Sequence, residues 1–350
     1  MKKIIIVLLI LANNVHAAGV RNNLKRYTYL RDKTIVNKRL HSKLYENYFD
    51  IDLNLSSGTK SIVGDIKNSS NSSSSTADKE AAILSILNKN MNSERYIDLE
   101  ISTAVPLPTF SLFKYRLTPS LFYSINMGAL VTISNQASVI DPSAGVYVKK
   151  DTKMGVSTII TKHPDKETQV KVNLYQLKRA DVDNTLNKTQ IVTDTKLFDF
   201  GALDKGETSI ALDFIWKRSN SKRSWSLEML EAKIIPMSTI TDVKYDHFPL
   251  FHAYHQWHKK PETFWLEPFV GVHMRKRYSL FDGLYVGTWL QLKELPFRSS
   301  LNISTQFITF IPEFKGESFY FNYKLRLAYI NPQEDIWVPA IHSFNLGFTF

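Results

Sequence analysis

From Tyr45 onward, apolar and polar residues alternate in short runs separated by turn residues or longer polar stretches, the pattern of half-buried β-strands. Residues 49–55 set Phe49, Ile51, Leu53 and Leu55 against Asp50, Asp52 and Asn54, because successive strand side chains point to opposite faces. Residues 96–103 oppose Ile97, Leu99 and Ile101 to Asp98 and Glu100. Over 113–133 every odd position is apolar or Pro119, and the even positions include Lys114 and Arg116. That length predicts a strand reaching past a bilayer, or a hairpin bent at Thr118 and Pro119. Further strands are expected at 144–150, 153–161, 168–177, 196–203, 208–216, 225–234, 264–275, 284–292, 298–310 and 319–330, before a last one at 344–350. The total is fourteen, or twelve without 196–203 and a partner. Two stretches are not strand. The serine-rich run 69–75 reads as a flexible loop. In 77–91, Ile83, Ile86, Leu87 and Met91 recur at helical spacing, which predicts a loop helix, either a lid over a mouth or a contact for another molecule.

The final run places Phe344, Leu346, Phe348 and Phe350 on one face and Asn345, Gly347 and Thr349 on the other. It resembles the terminal strand of Gram-negative outer-membrane β-barrels, whose last aromatic is part of the signal read by the barrel-insertion machinery. At the other end, Lys2 and Lys3, the apolar run 4–12 and the small-residue site Val15-His16-Ala17 read as a secretory signal peptide, 1–17. The apolar run is about half of the roughly 20 residues a spanning helix needs. The resemblance implies an all-β fold, a transmembrane antiparallel β-barrel of 12–14 strands over residues 44–350, placed in the outer membrane. Its implied partners are outer-membrane lipid, lipopolysaccharide and the insertion machinery. Both chain ends would lie in the periplasm, with short inner turns and longer outward loops. On that scheme 56–95, 135–143, 235–263 and 331–340 fall outside, and 104–112, 217–224, 276–283 and 311–316 inside. The long connection 178–195 falls inside, against the trend.

The chain has a net charge of +11 and no cysteine. The second fact excludes a disulfide framework and thiol catalysis, and suits a wall stabilised by a closed hydrogen-bond network. Loss of Lys2 and Lys3 with the signal peptide lowers the charge by two. For an exported chain the expected acidic neighbour is the phosphate-rich outer leaflet, not nucleic acid. Residues 18–43 are basic and only weakly periodic, a periplasmic segment or a small plug.

Asp50, Asp52, Asp98 and Glu100 share the expected lumenal face with Lys114 and Arg116 on the next strand. Across an open channel such charges would order polar solutes in a transverse field. On strands about 4.8 Å apart they would equally pair and fill the lumen. Lys171, Asp213, Glu228, Glu267, His273, Arg275, Lys324 and Arg326 complete the candidate lining. In the expected loop 235–263, His252, His255 and His258 stand three residues apart, a spacing that on a helical turn would share zinc. Barrel lipases and deacylases use a Ser with a His on the wall. Here His342 and Ser343 are adjacent and therefore face opposite ways, and Asp246-His247 is a loop pair. No phosphate-binding glycine loop or HExxH motif occurs. No catalysis and no cofactor are expected. The expected function is a passive channel for small polar solutes; the alternative is a closed barrel acting as a surface or envelope-assembly protein.

Overall fold

A computed structural model describes residues 23–41, 48–135, 142–162, 167–194, 203, 205–245, 248–258, 264–292, 295–331 and 336–349. The expected signal peptide, nearly all of 196–203, Asp246, His247 and Phe350 lie outside the described residues. In chain order come helix α1 (Asn23–His41), β1 (Tyr48–Ser56), α2 (Thr59–Ser70), α3 (Thr76–Lys89), β2 (Ser93–Pro106), β3 (Phe110–Leu112), β4 (Tyr115–Ser134), β5 (Ser143–Lys162) and β6 (Thr168–Leu186). Then follow α4 (Lys188–Asp194), β7 (Glu207–Ser219), β8 (Arg223–Thr239), β9 (Leu250–Trp257), β10 (Phe264–Met274), β11 (Leu284–Leu292), β12 (Phe297–Ser304), β13 (Phe307–Lys315), β14 (Phe319–Ala328) and β15 (Ile341–Thr349).

Neighbouring strands pair antiparallel, β2 pairs with β4 past the short β3, and β1 pairs with β15. Fourteen strands therefore close into a barrel, with β3 lying along β4. The seam is complete, from Tyr48 opposite Thr349 to Ser56 opposite Ile341. Closure leaves the fourteen described wall strands paired on both sides, β3 alone being paired on one side, and a closed wall of this kind is what lipid requires. One parity of each strand stays apolar and exposed, as at Leu301, Phe310, Phe321, Phe344, Leu346 and Phe348, while Asp50, Asp98, Asp151, Lys324 and Asn345 of the other parity are buried.

The wall is uneven. β4 and β5 have 20 residues each, whereas β9 and β12 have 8. The excess projects at the loop end, opposite the terminal end where Tyr48 and Thr349 lie. On its outer face, Val131, Ile133, Ala144, Val146 and Val148 pack against Ile62 and Ile66 of α2, Ile83 and Leu87 of α3 and Ile191 of α4. The apolar parity thus continues beyond a bilayer-sized band because helices cover it. This corrects the lid expectation: the helix lies on the outer wall, not across the mouth. The serine run closes α2 and supplies Ser75, whose hydroxyl caps α3 by accepting from the Asp78 amide (3.3 Å).

Four strand expectations change, and they cancel in the total. Residues 144–150 and 153–161 are one strand, β5, interrupted in pattern by Lys149, Lys150, Asp151 and Thr152. No described strand corresponds to 196–203. Residues 298–310 divide into β12 and β13 at Thr305 and Gln306. The supposed loop 235–263 holds the end of β8 and all of β9. Each missed or added strand inverts the end assigned to its neighbours. Residues 276–283 and the connection after β6 therefore lie at the loop end, not the terminal end.

Candidate functional site

The lumen is occupied by α1. This helix carries Lys25, Arg26, Arg31, Lys33, Lys38 and Arg39 with a single acid, Asp32. It has no apolar face, and elsewhere such a helix would sit in water. Here Tyr27, Leu30 and Asp32 are fully buried: Tyr27 and Leu30 pack in a cluster with Tyr96, Leu130 and Tyr147 of the wall, and Asp32 meets Arg275. Asn23 stands beside Gly145 near the loop end of β5, and Arg26 donates to Gln306 in the β12–β13 turn (2.7 Å). Lys38 reaches Asp50 near the start of β1. The helix therefore runs from the loop end to the terminal end, over about 28 Å at 1.5 Å per residue, close to the thickness of a hydrocarbon core.

Each turn of α1 meets a carboxylate or its partner. Arg26 pairs with Glu94 (2.7 Å), and Arg31 with Asp98 (3.1 Å) and Glu100 (2.5 Å). Lys38 pairs with Asp50 and with Glu100 (3.1 Å), and Arg39 with Glu228 (3.5 Å). In the reverse sense, Asp32 accepts from Arg275 Nε and Nη2 (both 2.9 Å) and from the Tyr278 hydroxyl (2.9 Å). Burial, with Asp32 beside it, pushes the Tyr278 hydroxyl well above the ordinary tyrosine range, so it keeps the proton it donates. His273 Nδ1 lies 2.8 Å from the same oxygen and must be the protonated nitrogen, since that oxygen's own proton is committed to Asp32. Gly128 on β4 admits the helix: a Cβ there would collide with the Tyr27 hydroxyl and Asp98.

Behind Arg275 lies a second layer. Arg275 also reaches Glu231 (3.1 Å), which accepts from Lys153 (2.8 Å) and Arg179 (3.3 Å), and Arg179 pairs with Asp151 (2.8 Å). Glu231 has φ +59° where β8 slips register against β7. Its amide donates to Asp213 (2.7 Å). A bulge of this kind turns an extra residue inward, which places the carboxylate among three cations.

Of the expected lining, Asp50, Asp98, Glu100, Glu228, Arg275 and Arg326 face α1. Asp52 pairs with Lys324 (3.3 Å), and Asp213 accepts from the Tyr175 hydroxyl (2.8 Å). Arg326 is buried against Phe307 and Thr34. Lys171 stands over the Tyr48 ring, and Glu267 meets His258 (2.9 Å) and Gln256 (2.5 Å). Lys114 and Arg116 are a correction: both are exposed at the terminal end of β4, and the cations opposite the acids belong to α1. The zinc expectation is corrected too. His252, His255 and His258 follow a strand, with His252 inward on Glu228 (3.5 Å) and His255 outward, stacked on Trp225 (3.7 Å). Among the described residues no group of three or more His, Asp or Glu could hold a metal. Phe344, Leu346 and Phe348 lie on the outer face. Sequence reading missed Glu94, Asp151, Arg179 and Glu231. A signal existed for the last: Glu228 and Glu231 are three apart, so a regular strand cannot turn both inward.

What α1 leaves open is a cavity of about 160 Å³ bounded by Lys38, Asp50, Glu100, Lys171, Asp213 and Glu231, room for a few waters at about 30 Å³ each. Toward the loop end Tyr27 packs on Tyr147 (4.9 Å) and Tyr245 (6.2 Å between ring centroids).

Fold and site define a closed, fourteen-stranded antiparallel β-barrel with an apolar exterior and an occupied, charged lumen. No family model and no curated protein sequence matches the chain. Among solved structures, CdiB from Acinetobacter baumannii is similar at 11% identity and a TM-score of 0.34, covering 88% of this chain. The chain spans 61% of the length of that protein. A triple mutant of the Rhodopseudomonas blastica porin is similar at 7% identity and a TM-score of 0.34, covering 87% of this chain and 98% of its own. A mutant of the same porin altered at five positions aligns over the same shares with a TM-score of 0.32.

Proposed function

We propose that this protein is an outer-membrane channel for small polar solutes, held shut by α1 and conducting when that helix leaves the lumen. The observation that carries the reading is that a helix with six cations meets lumenal carboxylates along its length, alongside apolar contacts made by Leu24, Tyr27, Tyr29, Leu30 and Val36. A permanent core is built by apolar packing, which water cannot replace. Ion-paired surfaces are different: once parted, helix and wall are both hydrated, so separation costs little compared with exposing an equal apolar area. On this reading the terminal end faces the periplasm and the loop end faces outward, lipid and lipopolysaccharide surround the wall, and the insertion machinery assembles it.

The test is single-channel conductance of refolded protein in a planar bilayer, with insertion shown independently. The full mature chain is expected to be nearly silent with rare openings, and a variant lacking residues 23–41 to give stable ohmic steps. A second reading, a closed surface or envelope-assembly barrel, is favoured by the helix-backed projection of β4–β6. It prevails if the shortened protein inserts and remains silent.

A further inference from the structure

A group of side chains outside the lumen has the arrangement of a hydrolytic centre. Ser57 Oγ lies 2.9 Å from His342 Nε2, and His342 Nδ1 lies 2.6 Å from the Tyr323 hydroxyl. The seam creates this contact: Leu55 of β1 is opposite His342 of β15, which is opposite Leu325 of β14. All three side chains have the outward parity of Phe321 and Phe344, and all are partly exposed. Nucleophile, base and a third group orienting the base are the recurring parts of acyl-transfer sites.

The surroundings supply the remaining parts. Ser57 ends a strand, its amide tied to Ala340 (2.8 Å). Gly58 follows with φ +77°, and α2 begins at Thr59 with no side chain capping it. The first intrahelical bond runs from the Ile62 amide to Gly58 (3.1 Å), so the amides of Thr59, Lys60 and Ser61 precede it and suit a developing oxyanion. Arg95 lies against Gly58, its Nε 3.5 Å from where a Cβ would sit. Arg95 is 8% exposed, and that Nε is buried without a hydrogen-bond partner among the described residues. Its guanidinium rests over the exposed ring of Trp337 (5.5 Å). Toward the terminal end from His342 the outer wall presents Phe321, Phe344 and Leu346.

We infer that Ser57, His342 and Tyr323 form an esterase site for the acyl ester of a membrane lipid, with the acyl chain along that apolar wall and an anionic headgroup at Arg95. Ser57 Oγ attacks the ester carbonyl as its proton passes to His342 Nε2, and the oxyanion forms at the start of α2. The carbon–alkoxy bond breaks, and His342 returns the proton to the departing lysolipid hydroxyl. Water then attacks the acyl-serine, giving its proton to His342 and releasing the fatty acid, while Ser57 regains a proton. Tyr323 is a positioning residue: its oxygen accepts from His342 Nδ1–H and keeps Nε2 basic.

The test uses full-length mature protein folded in detergent and mixed with phosphatidylethanolamine, read as fatty-acid release and as labelling by a fluorophosphonate probe. The wild type is expected to be labelled and to hydrolyse. Ser57→Ala should lose labelling and at least ~10³-fold in kcat, and His342→Gln should do likewise, with heat-induced unfolding unchanged. Tyr323→Phe should lower kcat at unaltered KM, the split expected of a group that only orients the base. Folded wild-type protein that neither labels nor hydrolyses would overturn the inference, as would labelling that survives Ser57→Ala. Neither outcome depends on whether the lumen conducts.

Discussion

Asp32 is the one acid of α1 and receives three donor contacts from the wall. Removing one partner of a buried pair typically costs about 3–5 kcal/mol, because the other charge is stranded. Arg275 would retain Glu231, which puts Asp32→Ala at the lower end. That cost falls on the plugged state alone, since water reaches Arg275 once the helix departs. Asp32→Ala is therefore expected to raise channel open probability about a hundredfold, a factor worth ~2.8 kcal/mol, without lowering the melting temperature of the barrel. Unchanged gating would show that the latch lies elsewhere. Gly128→Leu works by volume: its side chain needs the space of the Tyr27 hydroxyl, so the lumen is expected to stay open, and a silent variant would contradict the packing. At this scale the sequence was half legible. Asp50, Asp98, Glu100, Glu228 and Arg275 were readable as inward residues from alternation alone. Their partners were not, since alternation gives a face but not what stands opposite it, and Lys114 and Arg116 were credited with the role of Arg31 and Lys38.

Helix α1 was the least legible element because helical periodicity reports an apolar stripe, and this helix has none. β9 was hidden for a related reason: aromatic and imidazole groups on both of its faces blur the alternation. The β12–β13 turn at Thr305 and Gln306 lacks the glycine, asparagine or aspartate that usually marks a tight hairpin. Ser57 and His342 are 285 positions apart, and only knowing that the first and last strands pair would have joined them. The direction of α1 makes its own prediction. Because the chain lacks cysteine, single cysteines can be placed at will. On the proposed outer-membrane orientation, Asn23→Cys is expected to react with a membrane-impermeant maleimide added to intact cells, whereas Lys114→Cys should react only after that membrane is breached. Labelling in the opposite pattern would invert the orientation.

For the molecule as a whole, the seam that closes the wall and the charges that fill it respond differently to solvent. Backbone pairing across β1 and β15 is indifferent to salt, and the helix–wall pairs are shielded because ions screen buried charges poorly. Raising salt from about 0.1 M to about 1 M is expected to change open probability less than tenfold while leaving the barrel folded; a large, graded opening would mean that the pairs are accessible from the mouth. The helix is joined to β1 by residues 42–47 alone. If the helix leaves the lumen as proposed, a plug on so short a leash never dilutes into the surrounding compartment: its effective concentration at the lumen stays in the millimolar range. Reclosure is then a unimolecular event whose rate ignores how much protein is present, and openings should come as brief flickers timed by the leash. Lengthening those residues with glycine and serine would stretch each opening, turning the connection into the clock of the channel.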